Sequence, residues 1–446
     1  MGTGRSRFRH PSQILVVAFA AAVGTGTVLL LLPVSTRSGL HTGVVTALFT
    51  ATSAVCVTGL ATVDTGRHWT VFGQVVILAL IQVGGFGIMT AASLLGLLVS
   101  RQMGLRSRLT VAAETKSLGL GDVRAVLLGV LRVSALFEIA CAVVLTLRLR
   151  LGYGEPLGLA TWHGVFHAVS AFNNAGFSLY PDNLVRFVTD PWVCVPVALA
   201  VIVGGLGFPV LFELRRQARR PRSWSLHTKL TLTMTAVLLV AGAGWLTINE
   251  WNNPGTLGHL DPGGRVLAGT FQAVMPRTAG FNSVEVGLLK QSTWLGLIVL
   301  MFIGGGPAGT AGGIKVTTFV VLLFALLAEV RGQSTVNAFD RRISSRVQRQ
   351  ALTVALLSIA AVVCSSLALM EITRYPLSEV LFEVTSAFAT AGLSTGITPL
   401  LSPPGQLLLV FLMFLGRLGP ITLVSALAVR DRDRLYQLPE GRPIIG

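Results

Sequence analysis

Long apolar runs alternate with short polar intervals along this chain. Eight of the runs, at residues 14–32, 71–99, 125–147, 192–214, 230–248, 294–327, 351–370 and 407–429, are long enough to be predicted as spanning helices. About 20 residues at roughly 1.5 Å each suffice to cross a hydrocarbon core of about 30 Å. Taken in pairs, the runs frame four units. Inside each pair lies a shorter apolar piece, such as "GVVTALFTATSAV" at 43–55. A piece of that length reaches only about 20 Å, so it is predicted to pack at the interface or to enter the membrane and return.

Each short piece ends in nearly the same elbow: "CVTGL" at 56–60, "NNAGF" at 173–177, "RTAGF" at 277–281 and "ATAGL" at 389–393. Aligned on Gly59, Gly176, Gly280 and Gly392, the strings "FTATSAVCVTGL", "FHAVSAFNNAGF", "TFQAVMPRTAGF" and "FEVTSAFATAGL" keep an aromatic ten or nine residues ahead. The glycines are 117, 104 and 112 residues apart. A second marker holds the register: "GGFG" (84–87), "GGLG" (204–207), "GGGPAG" (304–309) and "GRLGP" (416–420) begin 25, 28, 24 and 24 residues after the elbow glycines. Such a period is an internal repeat. The predicted fold is an all-α polytopic membrane protein of four tandem helix, pore-loop, helix units, with eight spanning and four re-entrant helices around one central pore. The units divide as 1–100, 101–224, 225–332 and 333–446.

Composition agrees with a membrane chain. Of 446 residues, 52% are hydrophobic and 12% charged, with a mean hydropathy of +0.71; soluble domains carry about 25% charged residues. The net charge of +16 changes the picture only through its placement. Basic stretches at 5–9, 101–124, 215–229, 331–349 and 430–442 hold 23 of the 35 Lys and Arg. They fall between the paired runs, which fits the positive-inside bias with both termini cytoplasmic rather than a nucleic-acid surface. The first run follows Arg5, Arg7 and Arg9 but is long enough to span and lacks a clean cleavage site, so it is read as a membrane helix.

The side chains of an enzyme are not gathered. Cys56, Cys141, Cys194 and Cys364 have no CxxC spacing, and the seven histidines are dispersed. A membrane enzyme would cluster His, Asp, Glu or Cys near one interface. His163 and His167, four apart, are read as an interfacial helix face rather than a metal pair. An inverted-repeat secondary transporter would show two halves, not four units in one orientation.

The elbows suggest an ion path instead. A short helix dipping into the membrane aims the negative end of its dipole at the midplane, and extended residues beyond it can expose carbonyls only to a watery cavity. Four such turns around an axis can replace the hydration shell of a monovalent cation. The competing reading is that small residues merely let helices approach; four elbows in register favour the ion path.

Two further features stand out. "MFIGGGPAGTAGGIK" at 301–315 puts six glycines and Pro307 inside a spanning run. At about 1 kcal/mol per glycine and about 3 for proline, a helix is not expected to persist there. Arg417, in "FLGRLGPITL", is an arginine amid apolar residues, and an intramembrane charge is a functional candidate. Arg277 is expected either to set the potential at the pore mouth or to pair with an acid such as Glu285. Glu138 and Arg132 are expected to pair with neighbouring helices.

With the elbows, the glycine marker and the glycine loop in view, the chain resembles the Trk/Ktr/HKT superfamily of potassium transporters over essentially its whole length. The start directly at the first repeat and the ending "LPEGRPIIG" look more like the KtrB-type membrane subunit than the TrkH type. The resemblance implies potassium as substrate, with a selectivity filter at Val57, Thr58, Gly59, Asn174, Ala175, Gly176, Thr278, Ala279, Gly280, Thr390, Ala391 and Gly392. Glycine in all four elbows goes with potassium preference in the family, and serine in the first goes with sodium in some plant relatives. It implies a gate in the loop 304–313, through Gly304, Gly305, Gly306, Pro307, Gly309, Gly312 and Gly313, with Arg417 as the basic residue contacting it. It also implies a homodimer in the cell membrane, among membrane lipids, and a cytosolic RCK-type, KtrA-like ring that binds ATP or ADP, with no cofactor in this chain and no nucleic acid. Coupling to sodium or protons stays open.

Overall fold

The computed structural model of the protein describes residues 11–102 and 123–419. Helices dominate, and their order repeats. The first helices of the four units are Pro11–Leu31, Val123–Gly152, Leu226–Glu250 and Ser345–Ile372. The short helices are Val44–Val55, Leu157–Phe172, Pro262–Val274 and Leu377–Ala389. At 12 to 16 residues they reach about 18–24 Å. Starts are written locally: Asp261 caps the third short helix by accepting from the Gly263 and Gly264 N–H groups, ahead of Pro262 at its first position. Among the described residues the only β-strands form a two-stranded antiparallel hairpin, Asn337–Ala338 with Arg341–Arg342, between the third and fourth units.

The aromatics ahead of the elbow glycines, Phe49, Phe166, Phe271 and Phe382, are all buried to 2% exposure or less. They do not form one core per unit. Phe172, Phe271, Phe281 and Phe382, from three units, share one cluster. The short helices thus converge from different units, while the first helices keep many apolar side chains exposed, among them Leu136, Ile139, Val240 and Leu367. That exposure suits lipid, not water.

The second helix of the first unit, Val71–Gln102, is continuous, but those of the second and third units depart from the expected continuous spans. Among the described residues four helices are long and apolar enough to cross, all of them first helices of a unit, and a fifth span counts only as a bent pair. The expected run 192–214 is two helices, Pro191–Leu206 and Phe208–Gln217, bent by 99°. The bend is at Gly207, which adopts φ +91°, and the Pro307 carbonyl occupies the space a Cβ would need there. The run 294–327 is Gln291–Phe302 and Val316–Val330 with a non-helical loop between, where Pro307 and six glycines, 304–306, 309, 312 and 313, lie. The fourth unit's second helix, Pro403–Leu418, ends at Gly419 with φ +84°; residues 420–429 of that run lie outside the described residues. So do the basic stretches at 5–9 and 430–442, most of that at 101–124, and the ending 438–446.

Candidate functional site

Three of the four elbows are the same helix ending. The N–H groups of Val57, Asn174 and Thr390 donate to the carbonyls of Ala54, Ala171 and Ala387 at 3.0–3.1 Å. Those of Thr58, Ala175 and Ala391 reach back to Ser53, Ser170 and Ser386 at 2.7–2.8 Å. This is the Schellman pair of bonds, which places one residue in the left-handed region. Glycine is the usual occupant, yet here it is Val57 (φ +54°), Asn174 (φ +59°) and Thr390 (φ +50°). In the third unit Ala279 donates instead to the Met275 carbonyl, but Thr278 still adopts φ +67°. A left-handed L-residue costs about 1–2 kcal/mol, most surely for β-branched Val57, Thr278 and Thr390. Strain kept at one position in all four units marks a site.

Two residues on, the elbow glycines also take positive φ, between +70° and +93°. They meet in a ring. A Cβ on Gly59 would collide with the Ala175 carbonyl, one on Gly176 with that of Ala279 at 2.6 Å, one on Gly280 with that of Ala391 at 3.0 Å, and one on Gly392 with that of Thr58. Each glycine therefore faces the carbonyl preceding the next unit's glycine, and the fourth returns to the first. The residues flanking each glycine on its N-terminal side are fully buried or nearly so.

The loop between Phe302 and Val316 lies directly against this ring. The Gly312 N–H donates to Thr278 Oγ1 at 3.2 Å, and a Cβ on Gly312 would strike Thr390. The Thr310 hydroxyl meets the Asn174 side chain at 2.9 Å. The N–H groups of Gly306 and Thr310 donate to the carbonyls of Gly205 and Gly204, and Gly309 packs on the same two. Gly304 and Ile314 close the loop's base, with the Gly304 N–H donating to the Ile314 carbonyl at 2.8 Å; Gly305 packs against Ala311, and Gly313 turns with φ +64°. Arg417, 5% exposed, donates through Nη1 to the Thr310 carbonyl and through Nη2 to that of Gly84 at 3.2 Å, while its Nε has no partner. The second, third and fourth units thus hold the loop, and Arg417 ties it to the first.

The glycine marker has a different use. A Cβ on Gly84, Gly204 or Gly416 would collide with the carbonyl of Val55, Phe172 or Phe388, each at the end of its own unit's short helix. For these three positions close packing is the correct reading.

Of the other expected residues, Arg277 does not pair with Glu285. It donates to the Thr235 carbonyl and hydroxyl and to the Gly304 carbonyl at 3.2–3.4 Å, because the loop and the neighbouring first helix are nearer. Glu138 accepts from Gln82 and Asn173, tying two units, while Arg132 is exposed. His163 and His167 sit in a polar cluster with Glu155, Tyr180 and Ser178, and no group of three metal-binding side chains occurs among the described residues. In the segment that follows, burial alone would raise the Asp182 carboxyl, but the Arg186 guanidinium, bonded to it at 2.6 and 2.8 Å, holds it below its ordinary range.

Sequence reading missed three groups, the half-buried Lys315 and the buried Glu250 and Glu383. Lys315 closes the loop by donating to the Ala311 carbonyl at 2.5 Å. Glu250 gathers Thr293, Thr256 and Asn253. Glu383, inside the fourth short helix, was visible as a charge in an apolar helix and was the signal to follow.

Comparison with known proteins agrees with this geometry. The family model described as TrkH, cation transport protein, matches residues 3–437. The chain is 42% identical to Ktr system potassium uptake protein B of Bacillus subtilis, over 98% of this chain and 97% of that one. It is 34% identical to potassium/sodium uptake protein NtpJ of Enterococcus hirae, over 98% and 97%. Its fold matches the crystal structure of the potassium transporter TrkH from Vibrio parahaemolyticus with a TM-score of 0.77 at 17% identity, covering 96% of this chain and 87% of that one. A multi-pass membrane protein and not an enzyme, the chain belongs to the TrkH family of cation transport proteins.

Proposed function

We propose that this chain is the ion-conducting membrane subunit of a potassium uptake system. The closed ring of four elbows carries the reading. Val57, Thr58 and Gly59, Asn174, Ala175 and Gly176, Thr278, Ala279 and Gly280, and Thr390, Ala391 and Gly392 form the filter, whose carbonyls replace water around the cation. The C-terminal dipole ends of four short helices add to the attraction. Because one chain supplies all four turns, the ligands need not be equal. The units run 1–100, 101–224, 225–332 and 333–446.

The loop 304–313 is the gate. In the position described it is held by Arg417, Thr278 and Asn174, so opening requires those bonds to exchange or break. The reading extends to a homodimer in the plasma membrane with both termini cytoplasmic. A separate soluble RCK-type ring that binds ATP or ADP docks on the basic face, whose described stretches, 215–229 and 331–349, are too short to hold a nucleotide-binding domain. If the purified chain alone showed ATP-dependent transport in liposomes, the need for that ring would be refuted.

The name of the Enterococcus relative includes sodium, so the test measures both ions. Expressed in a bacterium that requires added potassium, the chain should restore growth at millimolar potassium and take up rubidium with sodium a weak competitor. No rescue and no rubidium uptake by membrane-inserted protein would overturn the reading. Equal sodium and rubidium uptake would move it to a non-selective cation transporter.

A further inference from the structure

Three elbows are tied by the same bond on the side leading away from the short helix. In the fourth unit Glu383, nine residues before Gly392, is 0% exposed. Its Oε1 accepts from the Thr395 N–H at 2.8 Å and the Ser394 hydroxyl at 2.6 Å, and its Oε2 accepts from Thr398 Oγ1 at 2.5 Å. In the second unit the residue nine before Gly176 is His167, 3% exposed. Its Nδ1 lies 2.7 Å from the His163 carbonyl, which can only accept, so Nδ1 carries the proton and Nε2 is the acceptor. Nε2 lies 3.4 Å from the Leu179 nitrogen and 3.0 Å from Ser178 Oγ.

Counted from the glycine, Leu179 and Thr395 are the same position, and so are Ser178 and Ser394. In the third unit Phe271 holds the ninth place, and its neighbour Gln272, 0% exposed, accepts from the Ser283 N–H at 3.3 Å. Ser283 is again third after the glycine. Three chemically unrelated side chains, nine, nine and eight residues before the glycine, thus bond the same backbone N–H, the third after it. The first unit has Thr50 and Thr62 at the two ends of that register, and both hydroxyls are buried without a partner.

We propose that Glu383, His167 and Gln272 are positioning residues that set the radius of three of the four elbows, and that the first elbow, which lacks this bond, is the compliant one. This rests on the reading of the elbows as a filter. The helix ending fixes the turn before each glycine, and the pin fixes the segment after it. Between two fixed points the carbonyls cannot close on a smaller ion; a turn fixed on one side can. Discrimination against sodium is therefore a property of the pins as well as of the carbonyls.

The test is rubidium uptake with sodium competition, per folded full-length protein, for the parent, Glu383→Ala, Glu383→Gln, His167→Ala, Gln272→Leu and Thr50→Val. Glu383→Ala should lose about tenfold in rubidium over sodium discrimination, the scale of one charge-assisted hydrogen bond. Glu383→Gln should keep most of it, because its amide oxygen accepts the same N–H. His167→Ala and Gln272→Leu should lose less, and Thr50→Val, with no such bond to lose, should match the parent. Should Glu383→Ala not accumulate, the His167 and Gln272 variants carry the comparison. Parental discrimination in those variants, or equal loss in Glu383→Gln and Glu383→Ala, would overturn the pins. A parent without rubidium uptake would overturn the transport reading instead.

Discussion

The ring of elbows and the loop against it are adjacent, buried and glycine-rich, yet they are held in opposite ways. The helix-ending bonds that set each elbow reach back only three to five positions, and three elbows repeat the same pair. The loop is fixed by partners 34, 107 and 136 positions away in sequence, at Thr278, Arg417 and Asn174. Local bonds persist as long as the turn itself exists. Long-range bonds to a segment almost without side chains can be exchanged as a set, which is what a two-position element requires. Selectivity should therefore be insensitive to the bonds that anchor the loop, and flux sensitive to them.

The largest effect should come from the ring. Gly392→Ala would place a methyl on the Thr58 carbonyl at a residue with φ +82°, and selective rubidium uptake should be abolished in inserted protein. Gly59→Ser is the graded version: discrimination should fall by about tenfold, or ~1.4 kcal/mol in relative affinity, more than folded yield falls. Parental discrimination in Gly59→Ser at equal expression would remove the first elbow from the filter.

Next come the loop's anchors. Arg417→Ala should raise flux per folded protein by about tenfold, the scale of one charge-assisted bond, and deletion of Ala308 to Gly312 should raise it too. Both act on one barrier, so the double variant should fall well short of the product of the singles. Unchanged or lower flux in both singles would return the loop to a packing role.

The ring was legible in the sequence because it is written four times, and its register could be read from glycines and aromatics alone. The unwinding at 303–315 was legible as an anomaly, from the cost of its glycines and proline. The bend at Gly207 was not. The Pro307 carbonyl that packs on it comes from a hundred residues on, and "GGLG" reads no differently from "GGFG", which stays helical at 84–87. The pins were hidden for the converse reason: Glu383, His167 and Gln272 share a bond but no side-chain chemistry.

A smaller effect separates packing from conduction. Gly204→Ala would press a methyl on the Phe172 carbonyl, an overpacking that costs about 1–3 kcal/mol. Folded yield and melting temperature should drop while discrimination per inserted molecule stays parental. A change in discrimination at parental yield would draw the second-helix glycines into the filter.

The smallest and sharpest change lies where ring and loop touch. Thr278 belongs to an elbow by its backbone, but its hydroxyl oxygen accepts the Gly312 N–H of the loop. Thr278→Val keeps the shape and removes that acceptor. The left-handed backbone, φ +67°, does not forbid the change, because Val57 holds the equivalent place in the first elbow at φ +54°. In the closed position the Gly312 N–H then loses its partner, which disfavours closure by about 1 kcal/mol. Flux per folded protein should therefore rise by about fivefold at most, with rubidium over sodium discrimination unchanged. Paired with Arg417→Ala, the gain should be less than the product of the two. If discrimination fell in step with the rise in flux, Thr278 would be tuning the carbonyls and not the loop, and the division between a locally fixed ring and a remotely held gate would fail at a residue that belongs to both.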